Sequence, residues 1–310
     1  MFKNAKIYRL KEPFTLDQVQ LDAQLRQHAF KPCGPLEMTA MGWTPPLGGQ
    51  TLQWVHGAGA CLLIAARRQE RLLPAAVINE AVAEKVTDIE HNEMRDVTRR
   101  ERSRLREEIL IDMLPRAFTR SRRIWAYIDI EANWIVVDSP NDKVAEEVLS
   151  LLRESIGSLP IKPLVPTIAV AERFSDWVAG GEVLAGLELE DQCELRDPVD
   201  NRSVVRCRGQ DLSSPEIRNH LESGKRVVAL GVNWNDRVSF ILDETLTLKR
   251  LRFDTELIDE ALDENIEDDS ARLDTEFTLL TAELRTLLSA LIDTFAPPPS
   301  DDKKPKRSAR

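Results

Sequence analysis

Between Pro74 and Pro115 the chain runs through forty residues without a glycine or a proline. A stretch free of both backbone breakers admits a helix, or a helix pair, of up to ~60 Å at 1.5 Å per residue. Pro74 suits a first helical position, where its missing N–H has no partner to lose. The two halves of the stretch differ. Ala75–Val86 carries a packed face of Val77, Ile78, Ala81, Val82 and Val86. Between Val97 and Leu105 there is no apolar residue, only Thr98-Arg99-Arg100-Glu101-Arg102-Ser103-Arg104. A helix polar all round projects into solvent or is not stable alone. Arg95, Arg99, Arg102 and Arg106 recur at helical spacing and share one face, with Glu101, Glu107 and Glu108 as the counterweight. Leu105, Ile109, Leu110 and Met113 then return the chain to a core before Pro115 stops the helix.

The residues that follow, Leu114 to Arg123, hold Arg116, Arg120, Arg122 and Arg123 with no acid among them, and Phe118 in the middle. The bland reading is a solvated loop. The sharper one is a contact to phosphate, whose paired oxygens match the planar guanidinium fork. Phe118 fits a core position, a stacking platform or a subunit anchor, and spacing alone does not choose.

Elsewhere the pattern alternates between strands and helices. Residues 2–10 read as a strand, 16–28 as a helix capped by Thr15, and 51–55 with 59–68 as a strand pair. Met41–Gly49 (MGWTPPLGG) reads as irregular because prolines and glycines punctuate it. A hairpin follows over 123–129 and 134–138, then a helix over 141–156 closed by Gly157. The proline-dense 159–166 segment marks a boundary. Beyond it lie strands at 167–171, 183–189 and 204–208, a helix opened by Ser214-Pro215, and three strands over 225–253. The chain closes with acidic helices. The expectation is an α+β protein with mostly antiparallel sheets in two βα-rich halves and a long projecting helical segment. Its units are an N-terminal βαββ unit (1–73), the helical segment (74–114), a hairpin and helix completing the first half (115–160), the second half (161–253), acidic helices (254–296) and a disordered tail (297–310).

Net charge is −10 over 310 residues, which at first argues against a polyanionic partner. The charge is segmental, however. Residues 253–295 hold thirteen acids against Arg272 and Arg285, whereas 95–126 hold ten arginines against five acids. A footprint on nucleic acid is a local patch, so the total excludes nothing. Further bases recur on later strands and turns: Arg206 and Arg208 on one strand face, Lys225 with Arg226, and Lys249 with Arg250. Cys33, Cys61, Cys193 and Cys207 are scattered, suggesting neither a zinc site nor a disulfide framework. The charged N-terminus lacks a signal-peptide pattern and no segment approaches a membrane span, so a cytoplasmic protein is expected.

Catalytic motifs are missing. No glycine-rich phosphate loop, zinc-protease helix or nucleophile elbow occurs, and His28, His56, His91 and His220 are dispersed. No cofactor and no metal ligand set is expected. One constellation deserves weighing: Asp129, Glu131 and Asp138 on the hairpin could hold magnesium for phosphodiester cleavage, although hairpin acids are common and no lysine completes the pattern.

Several segments carry a family resemblance: FKNAKIYRL, FKPCG with MGWTPP, LLPAAVI, MLPRAFTRSR, LLRESIGSLP, RGQDLSSPEI and LKRLRF. In this order they make the chain resemble the RdgC family of recombination-associated proteins over nearly its whole length, the PPPSDDKKPKRSAR tail excepted. The resemblance implies a ring-shaped homodimer with a positively charged hole. Such a ring binds single- and double-stranded DNA without sequence preference and restrains RecA-mediated strand exchange at the nucleoid. On that expectation the DNA-binding candidates are Arg95, Arg99, Arg102, Arg116, Arg120, Arg122, Arg123, Arg206, Arg208, Lys225, Arg226, Lys249 and Arg250. Phe118 is the candidate for one subunit contact and Gly209-Gln210 for the other, with acidic residues 254–276 facing outward. The alternatives are a magnesium-dependent nuclease and an adaptor acting through protein contacts of the acidic helices.

Overall fold

The computed structural model describes residues 2–48, 52–254 and 268–296. The expectations for a disordered tail and for most of the acidic segment at 254–267 lie outside the described residues. Among the described residues the fold is α+β with one large antiparallel sheet and seven helices.

The first half comprises β1 (Asn4–Leu10), α1 (Gln18–Gln27), β2 (Thr39–Thr44), β3 (His56–Ala58), β4 (Cys61–Leu72), β5 (Phe118–Asp129), β6 (Trp134–Val137) and α4 (Asp142–Ile156). Between β4 and β5 the chain makes the helix pair α2 (Ala75–Glu93) and α3 (Arg99–Met113). The second half comprises α5 (Val170–Val178), β8 (Leu187–Arg196), β9 (Val204–Arg208), α6 (Pro215–Glu222), β10 (Arg226–Trp234), β11 (Val238–Asp243) and β12 (Leu248–Phe253). A short β7 (Ile161–Pro163) inside the proline-dense segment pairs with β1, and α7 (Asp269–Phe295) closes the described chain.

The strands run β2-β4-β5-β6-β1-β12-β11-β10-β8-β9, with β3 against β4. β1 is the seam: it pairs with β6 in the first half and, through Asn4↔Lys249 and Ala5↔Leu248, with β12 in the second. Because successive side chains alternate between faces, each strand feeds two cores. Leu62, Ile64, Ala66, Ile124, Ala126 and Ile128 pack on α1 and α4, while Cys61, Leu63, Tyr127, Trp134 and Val136 pack toward α7. The first half is therefore three layers deep. In the second half α5, α6 and α7 cover one face. The other face, with Gln192, Glu194, Arg206, Arg208, Ala229 and Ile241, carries no described helix.

The acidic helix expected at the end of the chain is, at α7, also a core helix. Leu273, Phe277, Leu280, Leu284, Leu287, Leu288, Leu291, Ile292 and Phe295 recur at three- and four-residue spacing and are all buried. Each fully buried Leu or Phe contributes about 1.5–3 kcal/mol, far more than the 0–1 kcal/mol of an exposed ion pair. Counting charge hid this stripe. The outward face does hold Asp268, Asp269 and Asp274, which are exposed.

Other local expectations shift for identifiable reasons. α1 begins later than Thr15, with Asp17 and Gln20 forming a capping box. Met41–Thr44 is strand rather than irregular chain, since an edge strand tolerates a glycine and its prolines come only after Thr44. Gly42 has a specific duty: a Cβ there would sit 2.4 Å from the Phe30 Cα, so only glycine lets the 29–30 backbone cross the strand. Trp43 turns to the opposite face, where its Nε1–H donates to the Ser155 hydroxyl at 2.8 Å. Residues 167–171 enter α5 instead of a strand, and 183–186 precede β8 rather than starting it. Residues 52–55 are not strand, and pairing begins at β3.

The helix run divides at Met94, whose left-handed φ of 51° ends α2. Thr98 then caps α3 in a capping box with Glu101. Ile78, Val82, Val86 and Ile109 form a small core of their own, flanked by Leu105, Leu110 and Met113. The apolar residues at the end of α3 thus serve the helix pair rather than the central sheet.

Candidate nucleic-acid interface

The arginine stretch after Pro115 is strand, not loop. A 3-10 turn over Leu114–Arg116 is followed directly by β5, and the six residues Phe118–Arg123 are exposed while the six that follow are largely buried. β4 and β5 pair along their whole length, from Cys61↔Asp129 to Leu72↔Phe118, and β2 pairs with β4 as far as Thr39↔Glu70, so the exposed end is a ribbon of three strands, with the arginine stretch of β5 on its outer strand. The signal that extends the strand is on β4, whose Arg67–Leu72 segment supplies the hydrogen-bonding partner.

Alternation distributes the ribbon's arginines over both faces. Arg120 and Arg122 share a face with Arg68 and Glu70, while Arg123 shares the other with Arg67 and Ser121. Arg120 is bound to Glu70, its Nε 3.0 Å from a carboxylate oxygen. Those hydrogen bonds from Arg120 and Arg68 hold the Glu70 carboxyl below its usual range. Arg68 is nearly buried between Glu70 and Glu147, each at 2.7 Å. Arg71 donates to the carbonyls of Gly34, Glu37, Pro115 and Ala117 and stitches the ribbon to its surroundings. Arg122 makes no ion pair with a described residue, and neither does Arg116.

Phe118 is 85 % exposed at the ribbon's tip. Together with Leu72, Leu73, Pro74, Val77, Ala81, Ile109 and Met113 it lines an apolar cleft at the base of the helix pair, rimmed by Arg116, Lys85, Glu84 and Asp112.

On the helix pair, Arg99, Arg102 and Arg106 come together along a groove with Asn79, Val82, Ala83 and Ser103. Arg106 donates to Asn79, and neither Arg99 nor Arg102 has an ion-pair partner among the described residues. Arg95 is not part of this group. The chain breaks at Met94, so Arg95 lies in the link between helices, held by Glu93 at 2.6 Å and Glu101 at 2.9 Å. The shared face expected from spacing stops at Arg99.

On the second half Arg206, Arg208, Lys249 and Arg250 do converge, lining one shallow depression on the uncovered sheet face. Two are compensated: Arg206 pairs with Glu194 at 2.8 Å and Lys249 with Asp243 at 2.6 Å. Lys225 and Arg226 lie apart from it, Lys225 on the Ser203 hydroxyl and Arg226 on the Gly224 and Lys225 carbonyls. Gly209 takes φ +64° just after β9, and Gln210 lines a separate acidic cleft with Asp191 and Asp211.

The hairpin acids are dispersed. Asp129, fully buried, receives two hydrogen bonds from Arg285 of α7 at 2.9 and 3.0 Å, and Glu131 a third at 2.8 Å. Burial beside Asp129 pushes the neighbouring Cys61 thiol up to about 11. Asp138 lies at the other end of β6, about 13 Å away at strand rise, where it accepts from the Lys3 and Asn4 amides. Burial raises its carboxyl above the usual range despite these donors. Among the described residues no group of three or more His, Cys, Asp or Glu side chains is arranged to hold a metal ion. Nor is any described helix long and apolar enough to cross a membrane.

Comparison with known proteins decides the family. Residues 1–297 match the family model described as "Putative exonuclease, RdgC". The chain belongs to the RdgC family. It is 42 % identical over 292 residues to a recombination-associated protein RdgC of Aeromonas hydrophila, covering 94 % of this chain and 96 % of that one. An RdgC of Tolumonas auensis is 40 % identical over 94 % of the chain and 96 % of its own length. An RdgC of Pseudomonas aeruginosa is 41 % identical over 95 % and 96 %. The two descriptions differ, one naming an exonuclease and the other an association with recombination. In this RdgC-family chain the acids proposed for magnesium, Asp129 and Glu131, already neutralise Arg285.

Sequence reasoning missed Arg67, because it lies in the apolar CLLIAARR run and its significance depends on a partner strand. It also missed Arg285, an isolated base inside an acid-rich segment whose contact lies 156 residues away.

Proposed function

We propose that this protein acts in recombination as a sequence-independent DNA-binding homodimer that encircles single- or double-stranded DNA and restrains RecA-mediated strand exchange at the nucleoid. The observation that carries the reading is the set of exposed arginines left without acid partners: Arg99 and Arg102 on α3, Arg116 before β5, and Arg122 and Arg123 on the ribbon. A chain of net charge −10 that leaves these groups uncompensated keeps them for an external anion. Phosphates meet that need, and the released counterions make binding fall with salt and ignore sequence. The exposed Phe118 and its apolar cleft supply a surface for a second copy, and two such contacts related by a two-fold axis close a ring.

A gel-shift series across salt concentrations tests the reading. Unrelated single- and double-stranded oligonucleotides are expected to bind alike, with log affinity falling linearly against log salt. No retardation at low salt overturns it. Phe118→Ala is expected to shift sedimentation toward monomer, and an unchanged profile removes Phe118 from the interface. Incubation of plasmid with magnesium separates binding from cleavage, since degradation would favour the nuclease reading over this one.

A further inference from the structure

We infer that Arg67 and Arg123 form a preset two-point clamp on the phosphates of a polynucleotide backbone, on the opposite face of the ribbon from Arg120 and Arg122. The inference rests on the DNA-binding reading above and adds a site that includes Arg67.

The argument begins with an electrostatic cost. β4 and β5 place arginine directly opposite arginine twice in succession, Arg67↔Arg123 and Arg68↔Arg122. Residues opposite each other in an antiparallel pair lie on one face with Cβ atoms about 5 Å apart, and like charges there destabilise the sheet. The second pair is relieved, because Arg68 lies between Glu70 and Glu147. The first pair is not relieved. Both residues are exposed, and neither makes an ion pair with a described residue.

Both guanidinium groups are nonetheless held in place by uncharged partners. Arg67 lies over the Phe30 ring, 4.6 Å from its centroid, and its Nη2 donates to the Ser121 hydroxyl at 3.1 Å. Arg123 lies over the Trp125 ring at 5.3 Å, and its Nη1 donates to the Pro46 carbonyl at 2.8 Å. Gly48 approaches the Arg123 Nη2 so closely that a Cβ would stand 3.3 Å from it. The MGWTPP segment accounts for this arrangement. Gly42, opposite Arg67, lets the Phe30 backbone cross the strand, and Pro46 supplies the carbonyl under Arg123. A motif singled out in the sequence thus braces two unpaired cations, Arg67 toward Ser121 and Arg123 toward Trp125.

A brace that fixes orientation without neutralising charge lowers the entropic cost of binding an anion and leaves the remaining donors on exposed residues. The matching ligand is an oxyanion with several acceptors, a phosphodiester above all, which a pair of guanidiniums contacts through charge-assisted hydrogen bonds.

The test measures fluorescence anisotropy of a labelled oligonucleotide with the wild-type chain and with R67Q/R123Q, across salt concentrations. The double variant is expected to bind about tenfold more weakly and to lower the salt slope by about 1.4 to 1.8, the value for two phosphates. Its thermal midpoint should stay level or rise, because a repulsion has been removed. R67K/R123K keeps the charge but loses the planar fork, and should recover only part of the affinity. If wild-type protein fails to bind oligonucleotide, the DNA-binding reading fails. If it binds and R67Q/R123Q matches it in affinity and slope, the clamp alone fails. A parallel calorimetric titration with inorganic phosphate separates the sources. Phosphate binding lost in R67Q/R123Q while oligonucleotide affinity is intact would overturn the polynucleotide assignment in favour of a free oxyanion.

Discussion

Arg122 on the ribbon and Arg206 on β9 are both arginines on an exposed strand face, yet they differ in availability. Around Arg206 the second half has placed its own acids: Glu194 receives both Arg206 and Arg196, and Asp243 holds Lys249. Around the ribbon, Glu70 serves Arg68 and Arg120, and Arg67, Arg116, Arg122 and Arg123 have no ion-pair partner among the described residues. The two regions have similar counts of bases and different residual charge. A basic residue predicts an anion site only after its neighbours on the next strand have been counted, and those neighbours are remote in sequence.

The strongest way to break this comparison is to neutralise each region in turn. Replacing Arg116, Arg120, Arg122 and Arg123 by alanine should weaken DNA binding about a hundredfold at 0.1 M salt, if four phosphate contacts are lost. The same treatment of Arg206, Arg208, Lys249 and Arg250 should cost less than about tenfold, since two of the four already have partners. Equal losses, read by anisotropy, would erase the distinction.

Gly42→Ala attacks the ribbon's support without touching charge. The added Cβ must displace the Phe30 backbone, so about 2 kcal/mol of stability should be lost, visible as a lower denaturant midpoint. An unchanged midpoint would mean that the crossing has slack.

Glu194→Gln sharpens the contrast in the other direction. It frees Arg206, while Arg196 keeps its pair with Glu244, and DNA affinity should rise about threefold at low salt, by roughly half the value of one phosphate contact. No change would show that compensation is not what limits the second half.

The smallest effect is a pH dependence. At Asp243 burial opposes ionisation, but hydrogen bonds from Lys249, Thr245 and Thr247 outweigh it and hold the carboxyl below its usual range. A carboxyl depressed in the folded state stabilises the fold above its unfolded value near 3.8, and the contribution disappears as pH falls through the folded value. Asp243→Asn should therefore flatten the acid side of the stability curve, measured by thermal melts below pH 5.

Much of the architecture is legible in order of residues. The hairpin, the Gly157 cap, the Ser214-Pro215 helix start and the three late strands follow from local rules, because turn and cap chemistry is decided within a few residues. The helix stretch without breakers announces itself, although not the turn at Met94, which a non-glycine residue makes in a left-handed conformation. The errors share a cause in tertiary context. β5 extends to Phe118 because β4 is there to pair with it, and α7 is buried because both halves of the sheet need covering. At the site, Arg122 and Arg123 are visible in the sequence as an acid-free run. Arg67 and the acids beside Arg206 are visible only once strand registers are known.

One helix and one strand tie the protomer together. α7 packs from β3, where Asp274 meets His56, to α5, where Phe295 meets Phe174 and Trp177, and β1 is shared by both halves of the sheet. Neither half keeps its floor without the other, so the two should melt in a single cooperative transition and resist separation by truncation. In the ring proposed above, protomers this stiff would have no internal hinge to spare, and a gate for a polymer would have to swing at the joints between copies.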